Sequence, residues 1–259
     1  MYAKNETQVS YNCLLSIMDT LRKDYCLVGG WAIYYLVNER YRGERKRDYL
    51  GSRDIDIGVP DLATLKALDA FLVREMRFEQ LSFRYVKYFG YDTGEEVAPE
   101  RAKDIPQYML IPLFVDVMIP LFLNGVKEAV GFVPPDEPIL RKVFGDGSNR
   151  TTVRIGGRDV PVPTPAMVLS MKLNSVGNRT KDHKRIKDIC DIVALHLFTG
   201  SDREELIEQG VKHADPEKVK TIGTALHKDD YRQAAGFLGI PVDTVRSVMR
   251  KFSRTASRT

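Results

Sequence analysis

A chain of 259 residues, 43% hydrophobic and 29% charged, is long enough for two cores and has the make-up of an ordinary globular protein. Its net charge of +4, from 39 basic and 35 acidic side chains, is mildly basic, which suits an anionic partner without requiring one. Three scattered cysteines (Cys13, Cys26, Cys190) argue against a disulfide framework or zinc site, and the N-terminus lacks a charged-then-apolar leader pattern. The longest apolar stretch, 108–123, is broken by Pro112, Asp116 and Pro120 and is too short to span a bilayer, so a cytoplasmic chain without membrane contact is expected.

In chain order, Val9, Leu14, Leu15, Ile17, Met18 and Leu21 recur with helical spacing over 8–22. Next, the apolar run Tyr25-Cys26-Leu27-Val28 feeds Gly29-Gly30, and a helix is predicted over 31–37. Glycines at a strand–helix junction let the backbone approach a phosphate, and the first N–H groups of the helix are anion donors. A glycine pair alone more often marks a tight turn. The charged stretch 38–48 reads as a loop whose arginines can reach a triphosphate, or as a solvated charge run.

Ser52-Arg53-Asp54-Ile55-Asp56-Ile57-Gly58-Val59 then alternates polar and apolar residues as a half-buried strand does. Asp54 and Asp56 fall on one face, with Cα atoms roughly 6.6 Å apart, and Ile55 and Ile57 fall on the other. Two carboxylates that close resist joint ionisation unless a cation lies between them, and Mg²⁺ suits an oxygen-only pair backed by phosphates. The bland alternative is a solvated turn. Arg53 is the better placed of the nearby cations to meet a nucleotide.

A helix capped by Asp61 is predicted over 61–77, strands over 78–91, and an acidic loop over 92–105. Leu113-Phe114-Val115-Asp116-Val117-Met118-Ile119 places one carboxylate inside an apolar strand, which costs several kcal/mol unless it is paired, ligates a metal or faces solvent. Without such a partner Asp116 destabilises the fold, so removing its charge is expected to cost little. Residues 125–143 follow no clear pattern, 145–149 form a turn, and 151–162 read as a hairpin around Gly156-Gly157.

The strand–Gly-Gly–helix unit, the Asp-x-Asp strand and the third carboxylate together resemble the catalytic face of the DNA polymerase β-like nucleotidyltransferase superfamily. The resemblance implies an α+β fold, a mixed sheet with flanking helices followed by an all-helical C-terminal domain. It also implies transfer of a nucleoside monophosphate from an NTP to an acceptor hydroxyl. Asp54, Asp56 and Asp116 would be the catalytic, metal-holding residues for two Mg²⁺ ions, and Gly29, Gly30 and Arg53 would bind nucleotide. Asp116 would serve the second ion and the acceptor hydroxyl.

At Pro163-Thr164-Pro165 the texture changes: Thr164 is placed as an N-cap with proline in the first turn, and every later pattern is helical. Helices are predicted over 166–176, 181–198, 202–211, 216–226, 229–238 and 242–252. A boundary near 160 gives a catalytic domain over 1–160 and a helical domain over 161–259. Residues from 160 onward hold 17 basic and 12 acidic side chains, against 22 and 23 before them, and from Arg246 to the end there are five cations and no acid.

Met171-Lys172-Leu173, Arg179 and Lys184 to Ile192 resemble the Lys…Lys-Asp-x-x-Asp pattern of AbiEii-type nucleotidyltransferases, the toxins of type IV toxin–antitoxin systems. This implies that Lys172, Lys187 and Asp188 also bind nucleotide, and that a cognate antitoxin is a partner. A surface i,i+4 ion pair is the plainer reading of Lys187 and Asp191. Trp31 stands where many relatives carry a hydroxyl after the glycines, so phosphate contact there falls to backbone N–H groups. The basic helical half suggests an RNA or tRNA acceptor. The rivals are a small-molecule, antibiotic-type nucleotidyltransferase, which Trp31 favours, and a nucleotide-binding module without turnover. None of the four histidines lies in the first 160 residues, so no histidine base is assigned.

Overall fold

The computed structural model describes residues 2–21, 25–121 and 124–256. Along the chain run α1 (Lys4–Thr20), β1 (Cys26–Val28), α2 (Gly29–Arg45), β2 (Ile55–Gly58) and α3 (Leu62–Ala70). Then come β3 (Glu79–Leu81), β4 (Arg84–Gly90), β5 (Glu96–Val97), α4 (Pro99–Ala102) and β6 (Leu110–Met118). Two short helices, α5 (Val126–Val130) and α6 (Leu140–Gly145), precede the hairpin β7 (Arg150–Ile155) and β8 (Arg158–Pro163). Six helices close the chain: α7 (Pro165–Val176), α8 (Asp182–Phe198), α9 (Arg203–His213), α10 (Pro216–Ala225), α11 (Lys228–Leu238) and α12 (Val242–Ala256). Among the described residues no helix is long and apolar enough to cross a membrane.

Two compact units result, 2–31 with 51–162 and 32–50 with 163–256, and the first division falls inside α2. In the first unit the sheet order is β1-β2-β6-β4-β3, with β5 on β4. It is mixed: β2 and β6 run parallel, and the other pairs are antiparallel. Ile55, Ile57, Val115 and Val117 are fully buried, which fixes the register by keeping the apolar set of both strands in the core. Helix α1 adds Leu14 and Ile17 to that core.

In the second unit α8 supplies the spine. Ile189, Ile192, Val193 and Leu195 are buried, together with Leu169 and Leu173 of α7 and Phe252 of α12. Tyr41 packs edge-on against Tyr49 and Phe198 and donates its hydroxyl hydrogen to Leu238 O at 3.0 Å.

Several sequence expectations need correction. Helix α2 does not stop at 37 but runs to Arg45, so most of the predicted charged loop is helical. Its cations answer helix ends: Arg45 donates to Gly239 O at 3.3 Å and Arg47 to Phe237 O at 2.8 Å, at the C-terminus of α11, where orphan carbonyls attract positive charge. The acidic stretch 92–105 contains β5 and α4 rather than loop alone. Helix α3 opens as expected, with Asp61 accepting from Thr64 N at 2.8 Å, but widens into a π-helical turn over Phe71–Glu75. The hairpin around Gly156 and Gly157 forms as the pattern predicts, both glycines having positive φ.

Candidate functional site

The parallel pairing of β2 with β6 sets Asp56 directly opposite Asp116. Residues so paired on neighbouring strands lie about 4.8 Å apart and project to one face, so the two carboxylates stand side by side. Asp54 precedes the first residue of β2, two positions from Asp56. Among the described residues no three carboxylate, imidazole or thiol side chains form a group able to cage a metal ion.

Gly29 closes the site from the β1–α2 junction. Its φ of +65° is a conformation that side chains rarely adopt, and a Cβ there would lie 2.0 Å from Asp56 Oδ2. Gly30 is equally tight: its Cβ would meet Ser52 Oγ at 2.7 Å and Ser52 Cβ at 2.8 Å. The glycine pair thus seats the start of α2 against the side chains of Asp56 and Ser52. Ser52 is buried, and its hydroxyl brings a polar group to the junction that the sequence reading passed over. Trp31 turns away instead; it is 2% exposed, and its indole N–H donates to Ser10 Oγ at 2.9 Å.

Arg53 approaches Glu6 Oε1 at 3.7 Å and Asp54 Oδ1 at 3.6 Å, with its guanidinium 5.5 Å from the centre of the Tyr2 ring. These are ion contacts rather than hydrogen bonds: among the described residues, Arg53 Nε and Asp54 Oδ1 are both buried without a hydrogen-bond partner. A buried carboxylate oxygen without a hydrogen bond, in the Asp-x-Asp segment, is one that a hard cation would satisfy. Asp54 and Asp56 offer oxygen donors only, the kind that Mg²⁺ takes.

Asp116 is engaged differently. Arg84 of β4 grips it through both guanidinium edges, with Nε donating to Oδ1 at 2.7 Å and Nη2 to Oδ2. The guanidinium lies 4.2 Å from the centre of the Phe114 ring and 5.5 Å from that of Phe83. This fork–fork pair is the strong form of a charge-assisted hydrogen bond. It neutralises the carboxylate that the sequence reading gave to a second ion. A strand arginine opposite a strand aspartate across β4 and β6 has no short sequence signature, so Arg84 was missed.

Lys172, Lys187 and Asp188 lie in the other unit, where they form a buried charge network. Lys172 Nζ is 2.6 Å from Asp188 Oδ1 and 2.9 Å from Asp191 Oδ2. Asp188 also accepts from Arg179 Nε at 2.7 Å and Ser175 Oγ at 2.9 Å, while Asp191 accepts from Lys187 Nζ and from the Tyr49 hydroxyl at 2.7 Å. The Lys187–Asp191 pair does exist, but its side chains are 6% and 0% exposed rather than at the surface. Burial alone would push the Asp188 carboxyl up, but Lys172 and Arg179 outweigh it and hold the group below its ordinary value. Burial likewise depresses the Lys172 ammonium, and Asp188 and Asp191 outweigh it to raise the group. These residues are tied to one another, with Lys187 closed to solvent and Lys172 nearly so.

The cysteines offer no chemistry: all three are buried free thiols, and burial pushes Cys13 and Cys26 up to about 12.

The chain matches no family model and no curated protein. Among solved structures it is similar to an antigenic nucleotidyltransferase-like protein from Paracoccidioides brasiliensis, at 20% identity and a TM-score of 0.41, over 74% of this chain and 76% of that one.

Proposed function

We propose that this chain is a nucleotidyltransferase that moves a nucleoside monophosphate from an NTP to an acceptor hydroxyl. The observation that carries the reading is the Asp56–Asp116 register pair closed by Gly29. Asp54 and Asp56 would hold Mg²⁺, which would supply charge neutralisation of the NTP phosphates. The first N–H groups of α2, at Gly29 and Gly30, would receive phosphate oxygens, and Arg53 would turn to the same charge. In the transfer the acceptor oxygen bonds to the α-phosphorus, the bond to the bridging oxygen breaks, and pyrophosphate leaves. Asp116 would take the acceptor proton, which requires its pair with Arg84 to open.

The second Mg²⁺ of this reading requires Asp116 to exchange Arg84 for an ion. The acceptor would be RNA, a tRNA end or a protein hydroxyl, and the AbiEii-type kinship would add a cognate antitoxin as partner in a cytoplasmic setting. Lys172, Lys187 and Asp188 would enter nucleotide binding only by opening their mutual pairs.

A second reading, nucleotide binding without turnover, is favoured by the Arg84–Asp116 pair itself. One experiment separates the two. Pyrophosphate release from each of the four NTPs is followed with Mg²⁺ and an RNA pool, alongside equilibrium binding of the same NTPs. Turnover lost in Asp54→Asn and Asp56→Asn supports transfer. Binding with no turnover in the wild type supports the module. Binding and turnover both untouched by the substitutions would remove the site assignment.

A further inference from the structure

Helix α12 carries Arg246, Arg250 and Arg254 at i, i+4 and i+8, one stripe opposite its buried face of Val245, Val248, Met249 and Phe252. Like charges at this spacing destabilise a helix by a few tenths of a kcal/mol per pair. The helix dipole accounts for Arg254 in the last turn but not for Arg246, which stands in the N-terminal third. Asp243 lies 3.0 Å from Arg246, yet among the described residues no acid comes within ion-pair distance of Arg250, Arg254 or Lys228.

These cations share a cavity. Lys228 and Tyr231 of α11, Gly223 of α10, and Arg246, Arg250, Ser253 and Arg254 of α12 line an open cleft of about 530 Å³. All lie in the helical unit. Four of the lining side chains are cations, and among the described residues no carboxylate lines it. Tyr231 is half-buried between the core and the cleft.

We propose that this cleft binds the phosphodiester backbone of a single-stranded nucleic acid, with a base stacked on Tyr231. Cations recurring about every 6 Å along the α12 axis match a ligand with repeated negative charges better than a single anion. An aromatic with one side open among such cations is the stacking platform that single strands use and that duplexes, with their bases already stacked, do not. No residue of the Asp54–Asp116 face enters the cleft, so the inference stands or falls apart from the proposed reaction.

The test is fluorescence anisotropy on the full chain with a labelled 12-nucleotide single-stranded RNA, without NTP or Mg²⁺, over 25–300 mM salt. Wild type is compared with Arg250→Gln/Arg254→Gln, with Tyr231→Leu, and with Lys66→Gln/Arg74→Gln, which removes the same charge from the sheet unit. Exposed arginine-to-glutamine changes alter helix propensity little, and circular dichroism checks that each variant folds. The arginine pair should lower affinity by about tenfold or more and flatten the log–log salt slope by roughly 1.4, two contacts at ~0.7 each. Tyr231→Leu should weaken binding by about fivefold or more with the slope unchanged.

Equal losses in the Lys66/Arg74 control would show a diffuse charge effect and overturn the site. So would absence of salt-dependent binding in the wild type. Competition by inorganic pyrophosphate at equal phosphate concentration would make this a small-anion site instead. Equal binding of a polyglutamate peptide would remove the nucleic-acid assignment.

Discussion

Arg84 holds Asp116 by two parallel hydrogen bonds across neighbouring strands, in side chains only 19% and 12% exposed. That pair changes what the aspartate contributes. An unpaired buried carboxylate would be a liability, and its neutralisation nearly free; a paired one leaves its partner stranded when removed. Asp116→Asn should therefore destabilise the chain by about 2–3 kcal/mol, less than for a fully buried pair because water reaches both side chains. Arg84→Gln should cost a similar amount, and the double variant less than the sum of the two. Urea unfolding of the four proteins measures the coupling. An Asp116→Asn variant as stable as wild type would mean that the pair contributes nothing.

Gly29 has no room for a side chain. The new methyl meets Asp56 Oδ2 at 2.0 Å, and its φ of +65° adds about 1–2 kcal/mol of backbone strain. Gly29→Ala should lose at least about 2 kcal/mol and displace the Asp56 carboxylate, so any Mg²⁺-dependent NTP binding should fall with it. Gly43→Ala provides the control: it lies in the same helix, and a Cβ there has open space. Thermal unfolding and NTP titration of both variants decide it, and equal effects would show that the Asp56 contact is immaterial.

What the sequence disclosed was local. Alternation identified β2, a single carboxylate in an apolar run marked β6, and proline after Thr164 marked the start of α7. The Asp54 and Asp56 spacing placed two carboxylates on one face of a strand, but the partner of Asp116 lies 32 positions away across a strand pair. Non-local pairings of this kind depend on register, and no window along the chain contains it. The same holds for residues 38–48. Their charge pattern looked like a loop because the carbonyls that Arg45 and Arg47 satisfy come from the far end of the chain.

The charge network of the helical unit is a stability element whatever its further role. Lys187→Met leaves Asp191, which has no exposure, with only Lys172 and the Tyr49 hydroxyl as partners among the described residues. The cost should be about 3 kcal/mol, whereas Lys220→Met, which removes an exposed pair with Glu217, should change stability by less than about 0.5 kcal/mol. Asp188 adds a pH signature. Its carboxyl is held low in the folded state, so its contribution is full above the ordinary carboxylate range and is lost as pH falls through the depressed value. Asp188→Asn should thus be most damaging at neutral pH, with its deficit shrinking under strong acid. Guanidinium melts at pH 7 and pH 3 test this, and a deficit independent of pH would contradict it.

His196 should govern stability in a different and milder window. It is 4% exposed, packs edge-on against Phe252 at 6.1 Å, and among the described residues its Nδ1 has no hydrogen-bond partner. Burial, reinforced by Lys251 and Arg203 and opposed by Glu204, lowers it from 6.5 to about 4. The sign follows from which state takes the proton first. Between those two values the unfolded chain protonates while the folded chain stays neutral, so stability is intact above pH 6.5 and declines as pH falls toward 4. From pH 7 to pH 5 the loss should be about 2 kcal/mol. His196→Leu keeps an apolar side chain against Phe252 and removes the titration, so it should flatten the decline over that interval. Asp188 should leave the interval untouched, because its window lies below the ordinary carboxylate range. Unfolding free energies at half-unit steps from pH 7 to pH 4.5 compare the two slopes directly. If wild type and His196→Leu decline in parallel, the imidazole is not held neutral and the buried packing does not set its proton affinity.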